Sequence, residues 1–192
     1  ATGDFDGDGF DDLIIGVPNE DIINSSENSG TIQAFFGSSD GLLEALDPHR
    51  SYWAGQISFG GLENAQDTFG FALASGDFNS DGHVDLAYTS ITNGTVVILL
   101  QDPASSGDYL DGLSIPIGDL ATDITSIDFD SDGNMDLAAV IQVEGEPRVR
   151  VLQNDGNLFF TTIDTALDEG VVLVDAGDVS GNSDNELVTV GG

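Results

Sequence analysis

Cysteine and lysine are both missing from this 192-residue sequence, and its basic side chains are Arg50, Arg148 and Arg150 beside two histidines. Set against 35 Asp and Glu residues, they leave a formal net charge of −32. Neutralising phosphates takes basic groups, so this balance argues against nucleic acid as a partner and against an anionic membrane surface. Without cysteine there is neither a disulfide nor thiolate chemistry. Long apolar runs are missing too: the longest lies near Val96–Leu100, far short of a membrane span, and no insertion into a bilayer is expected. Helical periodicity is not found anywhere. Extreme charge often marks disorder, but 40% hydrophobic residues in regular runs point instead to a folded core, within a length that suits one or two domains.

What the sequence has in abundance is aspartate at fixed spacing. In Gly3–Pro18 (GDFDGDGFDDLIIGVP), Asp4, Asp6, Asp8 and Asp12 stand at places one, three, five and nine of a loop. Gly9 holds the sixth place and Phe10 the seventh. Carboxylates so close repel one another unless they surround a hard cation, which they would ligate together with the backbone carbonyl of Phe10. Glycine at the sixth place allows the left-handed turn that aims the later ligands back at the ion. Leu13-Ile14-Ile15 then reads as a buried strand, too short for a helix. The unit recurs as Asp77, Asn79, Asp81, Gly82, His83 and Asp85, and again as Asp128, Asp130, Asp132, Gly133, Asn134 and Asp136. A worn fourth copy offers Asp178, Ser180, Asn182, Asp184 and Glu186, with Ser183 in place of the glycine. From the starting aspartates 4, 77, 128 and 178 the periods are 73, 51 and 50 residues. Periods near fifty with strand, loop and strand in each repeat point to an array or a propeller.

The remaining segments read as strands and turns. Strands are expected at Thr31–Phe36, Phe69–Ala74, Thr95–Leu100, Leu113–Ile117 (an edge, given Pro116), Ile124–Ile127 and Leu137–Val143. Further strands are expected around Val149–Leu152, at Leu158–Ile163, at Val171–Val174 and at Leu187–Val190, with turns at Gly37–Gly41, Asn93-Gly94, Glu144–Pro147 and Asn154–Gly156. Leu42–Gly61 is less regular; it holds Pro48, His49 and the single Trp53. The fold class is all-β, and four-stranded antiparallel sheets repeated at this period suggest the blades of a β-propeller. Phe35, Phe36, Phe69, Phe71, Phe159, Phe160 and Trp53 are expected in the blade core in preference to a sugar-binding platform.

Phe69-Gly70, Gly76–Gly82 (GDFNSDG) and Asp85-Leu86 resemble the FG-GAP repeat of integrin α-subunit propellers and their bacterial relatives. Gly3–Pro18 and Gly30–Gly41 are similar, while the third and fourth units, lacking Phe-Gly, look more like VCBS-type repeats. The resemblance implies calcium in the loop between the first and second strands of each blade, within a ring that is usually seven-bladed. It divides the chain into residues 1–68 (a first blade lacking its first strand), 69–118, 119–168 and 169–192 (the start of a fourth blade). About three and a half blades are then expected in residues 1–192, which read as a piece of a longer polypeptide, and self-association would be one way to complete a ring.

Three Ca²⁺ sites and a worn fourth are the expected cofactors. An EF-hand is excluded, because its twelfth place needs a bidentate Glu and Ile15, Tyr88 and Ala139 stand there. Mg²⁺ is disfavoured by the number of protein ligands, and an Asp/Gly-rich surface turn without metal fits one loop better than three. Catalytic residues are not expected: there is no Cys or Lys nucleophile, no serine elbow, and the carboxylate pairs are absorbed by the loops. The chain therefore reads as a secreted or cell-surface, calcium-stabilised propeller acting as a recognition, adhesion or structural module, in a marine or salty setting. Its expected partner is a protein or carbohydrate ligand at the cell surface or in the extracellular matrix. A lectin-like domain and an accessory part of a secreted hydrolase or lyase are the alternatives.

Overall fold

The computed structural model describes residues 1–18, 31–41, 43–44, 70–91, 93–104, 109–118, 120–181 and 185–191. Every regular element among them is a β-strand. The first sheet is made of β1 (Thr2–Gly3), β2 (Asp12–Val17), β3 (Thr31–Phe36) and β4 (Leu43–Glu44), hydrogen-bonded in that order. The second runs β5 (Leu73–Gly76), β6 (Asp85–Ser90), β7 (Thr95–Gln101) and β8 (Tyr109–Pro116). The third runs β9 (Ala121–Ile127), β10 (Asp136–Val143), β11 (Glu146–Asn154) and β12 (Phe160–Ala166). A fourth, two-stranded sheet pairs β13 (Val171–Gly177) with β14 (Glu186–Gly191). All pairings are antiparallel between sequence neighbours, so each sheet is a meander whose first connection is an acidic loop.

The apolar runs are continuous because the sheets are covered on both faces, and alternate residues serve opposite neighbours. On β6 and β7, Leu86, Tyr88, Val97 and Leu99 pack toward the first sheet with Phe5, Ile14, Ile32 and Ala34. Their neighbours Ala87, Val96 and Ile98 pack toward the third sheet with Ile124, Leu137, Ala139 and Ile141. On β10, Ala138 and Val140 face the other way and join Ile127, Val149, Val151 and Val174. The core therefore lies between consecutive sheets. Burying about 25 cal/mol for each Å² of apolar surface, these layers supply the main drive for stacking.

The inner strands are also joined by hydroxyls. Ser75 Oγ donates to the Thr2 carbonyl at 2.8 Å, and Ser126 Oγ, one repeat on, donates to the Ser75 carbonyl at 2.7 Å. Ala176 stands at the next equivalent place and offers no hydroxyl. There the joint is built differently: Thr122 Oγ1 donates to the Val172 carbonyl at 3.0 Å, and the Val174 N–H donates to Asp123 Oδ2 at 2.9 Å.

Several expectations need correction. The first sheet does have a first strand, the two residues of β1. The second sheet opens at Leu73 and not at Phe69, because Gly70 sits in a turn with φ +82°; Phe69 lies outside the described residues. β8 starts at Tyr109, earlier than Leu113, because register with Gln101 and Leu100 carries the pairing back across an irregularity. β12 starts at Phe160, since Leu158 has φ +61° and ends the turn. Phe71 and Phe159 are not core: both project into solvent, 47% and 65% exposed, from the turns that precede their strands. Trp53, His49 and the irregular section around them lie outside the described residues.

Candidate functional site

Each acidic loop leaves the first strand of its sheet and returns as the second, so its two ends are pinned by adjacent antiparallel strands. Within that frame, carboxylate oxygens wind the backbone. The fifth-place N–H donates to the first-place aspartate in all three complete loops: Asp8 to Asp4 (3.0 Å), Asp81 to Asp77 (3.1 Å) and Asp132 to Asp128 (3.1 Å). The sixth-place glycine N–H donates to the other oxygen of the same side chain, from Gly9 (2.9 Å), Gly82 (2.8 Å) and Gly133 (3.1 Å). The seventh-place N–H of Phe10, His83 and Asn134 donates to Oδ1 of the fifth-place aspartate at 2.8–2.9 Å. The sixth-place glycines have φ between +88° and +92°, which side chains resist. The fourth place is left-handed as well, in Gly7, Ser80, Ser131 and Gly181, a requirement that the serines conceal in the sequence.

The ninth-place aspartates do more than the spacing alone reveals. Asp12, Asp85 and Asp136 are buried, and each accepts two backbone N–H groups. Oδ2 takes the second-place N–H of its own loop: Phe5 (2.8 Å), Phe78 (2.9 Å) and Phe129 (2.8 Å). Oδ1 takes an N–H at the end of the third strand or just beyond it: Gly37 (2.7 Å), Gln101 (3.0 Å) and Asn154 (2.8 Å). One carboxylate thus ties the loop to two strands, while its remaining lone pairs stay open to a further partner. Burial pushes all three carboxyls above the usual range, Asp85 to about 6, against the opposing pull of these backbone donors. The neighbouring loop aspartates add to the rise.

Oxygens of Asp4, Asp6 and Asp8 lie within 4.8 Å of one another, and so do those of Asp128, Asp130 and Asp136. Oxygens that share one Ca²⁺ at 2.3–2.6 Å can be no more than about 5 Å apart, so both groups have the chemistry and spacing of a hard-cation site. The two groups are drawn from different places in the loop. Asp12 stands outside the first group and Asp132 outside the second. In the second loop Asn79 replaces a carboxylate, and its amide donates to Asp81 Oδ2 at 3.0 Å, while the backbone winding is unchanged. Asn134 makes the same bond to Asp132, and Gln153 Nε2 donates to Asp130 Oδ2 at 2.7 Å.

The fourth loop keeps part of this pattern. Glu186 does the work of the ninth aspartate, accepting the Val179 N–H at 2.9 Å. The Ser180 hydroxyl donates to Glu186 Oε1 at 2.7 Å, a bond that holds the Glu186 carboxyl below its usual range. Asp178 accepts the Gly181 N–H, and Asn182 and Asp184 lie outside the described residues.

Residues 1–35 match the family described as FG-GAP repeat, and residues 77–139 match the FG-GAP-like repeat. Among curated proteins, integrin alpha pat-2 of Caenorhabditis briggsae is 33% identical over 104 residues. Integrin alpha pat-2 of Caenorhabditis elegans is 29% identical over 104 residues. Each match covers 54% of this chain and 8% of the relative's length. Gly16 and Gly70, both in segments that carry the resemblance, meet in space: a Cβ on Gly16 would lie 1.8 Å from the Gly70 carbonyl oxygen. The chain is an FG-GAP, integrin-like repeat protein, and its antiparallel sheets are β-propeller blades.

Proposed function

We propose that this chain is a calcium-binding β-propeller region, stabilised by its cations, that serves as an extracellular recognition or adhesion module. The observation that carries the reading is the convergence of carboxylates in the first and third loops, on a backbone winding that Asp77–Asp85 shares. In each, the ligands would be the side chains at places one, three, five and nine with the seventh-place carbonyl of Phe10, His83 or Asn134. Asp178, Ser180, Asn182, Asp184 and Glu186 would form a weaker fourth site, since fewer carboxylates face the ion. A bound cation would favour the charged carboxylates that burial disfavours, and would draw Asp12, Asp85 and Asp136 back toward ionisation.

The cation's role in this reading is structural. Ligands that repel one another in the metal-free chain hold together around the ion, so binding free energy adds to folding free energy. The blades then present their connecting loops as a rigid surface to a partner, which we read as a protein at the cell surface, in keeping with the integrin alpha relatives. We assign the chain no catalytic residues. Calorimetric titration of Ca²⁺ into metal-free protein tests the reading: three strong sites, with a fourth weaker one, are expected. Titration with no heat beyond dilution would contradict it.

A further inference from the structure

The third-strand residues that touch the ninth-place aspartates also reach the preceding blade. Gln101 gives its backbone N–H to Asp85 and its side-chain Nε2 to the Phe5 carbonyl of the first loop at 2.9 Å. Asn154 gives its backbone N–H to Asp136 and its side-chain Nδ2 to the Phe78 carbonyl of the second loop at 2.7 Å. Both amides are buried, each at 3% exposure. Because the Phe5 and Phe78 N–H groups are themselves held by Asp12 and Asp85, one hydrogen-bonded line passes from Asp12 through Asp85 to Asp136. It runs through Phe5, Gln101, Phe78 and Asn154, and crosses two blade interfaces.

We infer that Gln101 and Asn154 are positioning residues that couple cation binding in neighbouring loops, an inference that rests on the metal reading above. The coupling has a physical route. The Phe5 carbonyl belongs to the peptide leading into Asp6, and the Phe78 carbonyl to the peptide leading into Asn79, both third-place residues. Filling the first loop fixes the Phe5 peptide, which fixes the Gln101 side chain and with it the N–H that aims Asp85. The second loop then has less disorder to lose when it binds, and linkage makes the effect reciprocal. The same steps join the second loop to the third through Asn154.

Each amide reaches the loop of the blade before its own, Gln101 the first and Asn154 the second, and Asn154 Nδ2 also donates to the Met135 carbonyl of its own loop at 3.1 Å. Gly37 holds the corresponding place in the first blade, and it has no side chain to give. None would fit, since a Cβ there would stand 2.4 Å from the Asp11 carbonyl oxygen.

Nuclear magnetic resonance of the Gly9, Gly82 and Gly133 amides, one in each loop and each bonded to a first-place aspartate, reads the sites separately during Ca²⁺ titration. In the unaltered protein the three signals should move together, with a slope steeper than independent sites give. Asn154→Leu should weaken the second loop about tenfold or more and make its curve and that of the third loop separate. Gln101→Met should do the same to the first loop while leaving Gly82 and Gly133 moving together. Should either variant fail to fold without cation, the unaltered protein still decides: independent hyperbolic curves at the three glycines would overturn the coupling. So would variants whose losses fall equally on all loops. A complete lack of Ca²⁺-dependent shifts would instead overturn the metal reading itself.

Discussion

Asp12, Asp85 and Asp136 each sit out of water with a carboxylate between two backbone donors, and the loop's shape depends on that one side chain. Removing it leaves two buried N–H groups without an acceptor, at about 1–3 kcal/mol each. Asp85→Ala is therefore expected to cost about 2–4 kcal/mol in urea unfolding, even in metal-free protein. A loss under about 1 kcal/mol would mean that Phe78 and Gln101 find other partners. Another carboxylate, the half-buried Asp123, lies outside the loops and accepts the Val174 N–H, and its partial burial raises it above the usual range. A folded-state value above the unfolded one means stability that is fully present at low pH and fades as pH rises through the raised value. Asp123→Asn keeps an acceptor for Val174 and removes the half-buried charge. It should stabilise metal-free protein at neutral pH, and the gain should vanish below about pH 4. A gain that persists in acid would place its origin elsewhere than in the charge.

At the scale of elements, the loops and strands were legible to different depths. The aspartate spacing located every complete loop, and the apolar runs located β2, β3, β7 and β10 with little error, most plainly β7 and β10, where residues buried on both faces leave an almost uninterrupted signal. Exposed starts were harder. Phe71 and Phe159 look like strand residues, yet both lie in turns whose left-handed residues, Gly70 and Leu158, give only a weak signal in the sequence. Ser80 and Ser131 hide the left-handed fourth place for the same reason. The contrast between fourth and sixth places is testable. Gly82→Ala forces a side chain to φ +88° and should cost about 1–2 kcal/mol, whereas Ser80→Gly should change stability by no more than about 0.5 kcal/mol. Equal effects in urea unfolding would contradict the loop geometry. The roles of Gln101, Asn154 and Gly37 were not legible, since they arise only when a third strand and a neighbouring blade bring distant residues together.

Across the whole molecule, stability is carried by interfaces between consecutive blades, each an apolar layer bordered by a few polar ties. An array of this kind behaves as a sum of repeat and nearest-neighbour terms, so whatever stiffens a loop also stiffens the interfaces on which it rests. Opposing them is a net charge of −32, whose self-repulsion salt screens without any specific site. Ordinary salt and a site-bound cation must therefore be told apart. The most direct measurement is thermal unfolding, followed by circular dichroism, in chelator and in millimolar Ca²⁺, with NaCl added to equal ionic strength. Ca²⁺ is predicted to raise the melting temperature by about 10 °C or more beyond the NaCl control, since each tight site contributes about 2–3 kcal/mol. A rise no larger than that from NaCl would show that the acidic loops answer only to screening, and would contradict the account of a cation-held propeller.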